Sequence, residues 1–190
     1  MTKDLRLTLA LALTAVFSAA CRTAAPFDSP QRVALAQKII SGWAEPSRRM
    51  AAKAIERYGP PDAIAQGAVG WKRKGVWKRI VVWNAPKGGT RENVEETVAY
   101  RVPEGRREAI ALFNSGVRVS EDGAEMSARS NDEALNYLAL NLADEVARGA
   151  RGWVEARGFY EKTAALAAAG KSSPYMRGIL FSVSNQLPAN

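Results

Sequence analysis

The chain has one cysteine, Cys21, and it stands at the end of an apolar N-terminal run. A lone thiol cannot close an internal disulfide, so the chain after it must fold on its hydrophobic core alone. The run before it explains the position. Lys3 and Arg6 precede an apolar stretch over residues 7–17, and Ser18, Ala19 and Ala20 are small residues of the kind found at secretory cleavage sites. The stretch is too short to cross a ~30 Å hydrocarbon core, which takes about 20 residues. Residues 1–20 therefore read as a signal peptide. The 170 residues that remain of 190 are the size of one domain. A chain of about 150 residues buries roughly 70% of its unfolded surface, enough for a self-sufficient core.

Ser18-Ala19-Ala20-Cys21 resembles the Leu-Ala/Ser-Gly/Ala-Cys signal of bacterial lipoproteins, departing from it at Ser18. The resemblance implies lipid attachment at Cys21 and anchoring to a membrane. Ser18 and Ala20 also fit ordinary cleavage, which would release a soluble periplasmic or secreted product. Residues 21–29 are small, polar and proline-bearing, as a tether is. Arg22 follows the cysteine where an Asp retains enterobacterial lipoproteins at the inner membrane. By the same resemblance, the expected home is the periplasmic face of the outer membrane.

Of 27 basic and 19 acidic residues, the first twenty hold Lys3, Arg6 and Asp4, which leaves 25 against 18, or +7. That excess favours anionic partners. In an exported protein these are anionic phospholipid, lipopolysaccharide or peptidoglycan, and not nucleic acid. An envelope protein is a further partner class. The chain has no histidine, and so lacks the commonest general base and the commonest metal ligand. With Cys21 committed to lipid, Cys/His metal sites and thiol nucleophiles have no residues to build them. No cofactor and no metal are expected.

Periodicity predicts helices over 29–41 and 47–58, the second closed by Gly59 and Pro60-Pro61. Residues 68–84 read as a β-hairpin, with Val76, Lys78, Ile80 and Val82 on one face and Trp77, Arg79, Val81 and Trp83 on the other. A strand from Val94 to Val102, a short helix over 104–113 and a hairpin around Asp122-Gly123 follow. Asn131 caps a helix whose stripe is Leu135, Leu138, Ala139, Leu142 and Val146. A last helix over 153–169 turns Phe159, Tyr160, Thr163 and Leu166 inward. The reading is one α+β domain over residues 30–170, with an antiparallel sheet of about five strands and helices packed at both chain ends. Residues 171–190 form a tail without an assigned structure.

Six stretches carry a wider likeness: ERYGPPD (56–62), VWKRIVVW (76–83), YRVPEG (100–105), GAEMSAR (123–129), NYLALNLADE (136–145) and EARGFYEKT (155–163). As a set they resemble a family of bacterial exported proteins and lipoproteins that has no assigned activity. The resemblance implies the address and transfers no catalytic residue.

The sharpest local feature is the hairpin sequence from Trp71 to Arg79. It gathers Lys72, Arg73, Lys74, Lys78 and Arg79 with Trp71 and Trp77. Such a surface suits anionic sugars or lipid headgroups, cations meeting phosphate or carboxylate and indoles stacking on a ring. The competing reading makes the tryptophans core residues under a solvated basic turn. Glu95 and Glu96 point to opposite faces of their strand and form no catalytic pair by adjacency. Asn136, Asn141 and Asp144 interrupt the leucine-rich helix in structural roles. No serine has the context of a nucleophile. The sequence thus points to a non-enzymatic envelope lipoprotein that works by binding. Its alternative is a binder of lipopolysaccharide or peptidoglycan through the basic hairpin, and a third reading is a carboxylate-dependent peptidoglycan hydrolase.

Overall fold

The computed structural model describes residues 29–85, 92–114 and 116–183. The signal, the tether and Cys21 lie outside them, apart from Ser29. The first two helices are α1 (Ser29–Ile40) and α2 (Glu45–Tyr58). Pro46 in the first turn of α2 lacks an N–H that would be unpaired there anyway. Gly59, at φ 77°, ends the helix with its N–H on the Ile55 carbonyl. Pro60-Pro61 then leads into the sheet.

Six antiparallel strands form that sheet: β1 (Ala63–Ala65), β2 (Ala68–Lys74), β3 (Trp77–Trp83), β4 (Val94–Ala99), β5 (Val117–Val119) and β6 (Glu125–Ser130). Their order is β1-β2-β3-β4-β6-β5. The fold is the expected single α+β domain with one more strand than expected. The extra strand is β1, whose three residues are too few to show alternation; it pairs along β2 from Ala63↔Gly70 to Ala65↔Ala68.

Helix α3 (Arg107–Phe113) bridges β4 and β5, and α4 (Glu133–Ala147) and α5 (Trp153–Ala168) follow β6. Asp132, not Asn131, caps α4: its backbone is extended and its carboxylate accepts the Ala134 N–H at 2.9 Å. Helices α2 and α4 lie on one sheet face, over Val69, Trp71, Ile80, Val82, Val94, Val98, Met126 and Ala128. Flanked in turn by α3 and α5, α4 is central, and eleven of its 15 residues are buried instead of a single stripe.

Two further differences from the sequence reading matter below. Of α5, only Ala156 and Thr163 are buried, and Leu166 stands 45% exposed. The chain beyond Lys171 folds back onto α4. Asn141 grips it from a buried position, donating to the carbonyls of Tyr175 (3.0 Å) and Gly178 (2.8 Å) and accepting the Leu180 N–H at 2.8 Å. Phe181 then meets the ring of Tyr100 edge-on at 5.1 Å.

Candidate functional site

The basic hairpin is β2–β3. Its tip is a two-residue turn, Gly75-Val76, closed by the pair Lys74↔Trp77. Between that pair and Lys72↔Arg79, Arg73 adopts φ 52°, the left-handed region that side chains other than glycine's enter at a cost of about 1–2 kcal/mol. The ribbon turns sharply there. Trp77, which strict alternation groups with Arg79 and Val81, enters the helix-side core instead.

Both tryptophans of the expected recognition surface are core residues. Trp71 is 0% exposed and Trp77 1%. The Trp71 indole donates to the Gly59 carbonyl at 2.8 Å, and Trp77 stacks on Tyr137 with centroids 5.0 Å apart. Neither ring has a free face for a ligand. The reason is apolar area: a buried indole contributes more to the core than it would on a wet turn.

The five cations divide into two groups. Lys78 and Arg79 are held by Glu125, at 2.6 Å and 3.4 Å. Lys72 and Arg73 are exposed and Lys74 is partly so; Arg73 and Lys74 form no ion pair among the described residues. Cross-strand register continues from Lys72 through Arg79, Thr97 and Ser127 to the exposed Arg118, on the face away from the helices.

Beneath the tip lies a carboxylate cluster. Glu133, in the first turn of α4, accepts from the Tyr58 hydroxyl at 2.6 Å, the Tyr137 hydroxyl at 2.9 Å and the Trp77 indole at 3.2 Å, all at Oε1. Its Oε2 pairs with Arg57 at 2.5 Å. A helix N-terminus is a favourable place for that negative charge. One turn on, Asn136 donates to Glu96 Oε2 at 3.0 Å and to the Val94 carbonyl at 3.3 Å.

Glu96 is 1% exposed. Burial, reinforced by the charge of Glu133, pushes its carboxyl up to about 8 against the bond from Asn136, so it is protonated at neutral pH. Burial and Glu133 also hold the Tyr58 and Tyr137 phenols well above their usual range, and both remain donors.

This pair, 37 positions apart in sequence, was not visible from local motifs. A carboxyl raised by burial beside a second carboxylate is the pattern of an acid–base pair. Here access decides against that use. Glu96 is closed off, and the two oxygens of Glu133 already accept four donors. The cluster instead joins the end of α2, the hairpin, β4 and the start of α4.

Of the acids around the Asp122-Gly123 turn, Asp122 is exposed, whereas Glu125 holds Lys78 and Arg79. Asp122 accepts from the Ser120 hydroxyl at 2.6 Å and the Ala124 N–H at 3.0 Å, which lowers its titration. Among the described residues no helix is long and apolar enough to cross a membrane, and no cluster of three or more acidic, His or Cys side chains could hold a metal. Comparison with protein-family models, curated proteins and solved structures finds no match to this chain.

Proposed function

We propose that the protein is a non-enzymatic binding module of the bacterial cell envelope, tethered to a membrane by lipid on Cys21. Its ligand surface is the hairpin tip, where Lys72, Arg73 and Lys74 engage the phosphates of anionic lipid, lipopolysaccharide included. The observation that carries this reading is the way the tip is supported. Trp71 and Trp77 are bonded into the core, and Arg73 and Lys74 stand beyond them without an ion pair among the described residues. A tip fixed before binding loses less entropy when it meets a charged surface. The signal-like N-terminus and the positive balance of the chain support the same partner class.

The test is salt-dependent association of the full chain carrying Cys21→Ser with anionic vesicles. Exposed charges are screened beyond ~8 Å at physiological ionic strength, so binding should fall steeply as salt rises. Binding that is indifferent to salt counts against the reading.

A carboxylate-dependent hydrolase is the second reading; the raised titration of Glu96 beside Glu133 is its one support, and the burial of Glu96 stands against it. It requires peptidoglycan cleavage that Glu96→Gln abolishes in a chain that still folds.

A further inference from the structure

The last turns of α5 carry no charged side chain, residues 163–169 reading TAALAAA, yet this end of the helix is largely exposed. Exposed apolar surface of this kind marks an interaction site when it is contiguous and shaped. Here it is both. A cavity of about 290 Å³ lies between α5 and the segment that follows it, lined by Phe159, Thr163, Leu166 and Pro174 together with Lys162 and Lys171. Phe159, Thr163 and Leu166 recur at i, i+4 and i+7, a continuous strip about 10 Å long on the helix surface. Both lysines are exposed, and neither forms an ion pair among the described residues.

The volume falls just below the roughly 300–1,000 Å³ that ligand pockets span. It is large enough for one flexible chain and small for a two-chain lipid. Two ammonium groups at a groove whose remaining lining is Phe159, Leu166 and Pro174 with the hydroxyls of Thr163, Ser172 and Ser173 complement a ligand with one anionic end and one aliphatic body. We propose that this groove binds a single-chain fatty acid, the acyl chain along Phe159, Thr163 and Leu166 and the carboxylate paired with Lys162 and Lys171. The site is separate from the hairpin tip and does not depend on its role.

Calorimetric titration of the full chain carrying Cys21→Ser with laurate tests this, since the substitution removes the thiol that would carry covalent lipid. Laurate should bind saturably, with one site per chain. Leu166→Asp, at an exposed position, should weaken binding by about tenfold or more by placing a charge against the chain, with an unchanged melting temperature. Lys162→Ser with Lys171→Ser should weaken laurate but leave dodecanol unaffected. Absence of saturable laurate binding overturns the proposal, as does equal binding by the Leu166→Asp chain. Equal affinity of the native groove for laurate and dodecanol overturns the role given to the lysines.

Discussion

Trp77 donates its indole N–H to Oε1 of Glu133 at 3.2 Å, across 56 positions of sequence, and so ties the basic hairpin to the first turn of α4. The same oxygen serves Tyr58 and Tyr137. One carboxylate therefore holds three aromatic residues from three elements, and the position of the hairpin tip depends on it.

Glu133→Ala should be among the most damaging single substitutions in the chain. It removes the partner of the exposed Arg57 and leaves the donors of Tyr58, Tyr137 and Trp77 without their acceptor, and each buried donor so left costs about 1–3 kcal/mol. Glu133→Gln keeps an acceptor oxygen and should cost less. Urea midpoints of the two variants check the order.

Glu96 makes stability depend on pH with a definite sign. Its carboxyl titrates near 4.5 when unperturbed and at about 8 in the fold. Between those values the folded chain keeps a proton that the unfolded chain has released. Its contribution is therefore whole below 4.5, declines as pH rises through the window, and levels off above about 8. Glu96→Gln removes the titration. The melting temperature of the variant should fall less than that of the native chain between the two ends of that window, and exceed it on the alkaline side.

Leu138 is 0% exposed at the centre of α4. Leu138→Ala should lower stability by about 2–5 kcal/mol, as truncations in well-packed cores do. Chemical denaturation measures it, and an unchanged midpoint would mean that α4 is not central.

Cys21→Ser should release the protein from membranes, because a lipid on that residue is the anchor proposed for it. Uptake of a labelled fatty acid by the native protein, and its loss in the variant, is the direct measurement. A native protein that takes up no label and fractionates as soluble has no such anchor.

Much of the fold was legible because its signals are local. Gly59 and the prolines after it end α2, Asp122-Gly123 turns the second hairpin, and leucines mark α4. Faces were less legible. Trp77 lies on the side opposite the one alternation assigns, in a hairpin end where Arg73 takes the left-handed region, and nothing in the residue types announces either. Leu166 was expected inside, because helical spacing identifies an apolar strip without saying whether a neighbour covers it. The carboxylate cluster was the hardest to read. Glu96 and Glu133 each have an ordinary local explanation, a strand residue and a first-turn acid, and only the packing of α4 across β4 brings them together. A glutamate flanked by Val94 and Val98 on an inward strand position was the one available hint.

The central claim is that an anchored hairpin presents Lys72, Arg73 and Lys74 to anionic lipid. The measurement that tests it most directly is vesicle co-sedimentation of the full chain carrying Cys21→Ser, with and without Lys72→Ser, Arg73→Ser and Lys74→Ser, at low and high salt. The account predicts that the native tip sediments with anionic vesicles at low salt and not with zwitterionic ones, that high salt releases it, and that the triple variant stays in solution with an unchanged melting temperature. Equal sedimentation of both chains at both salts would contradict it and leave the hairpin a solvated turn.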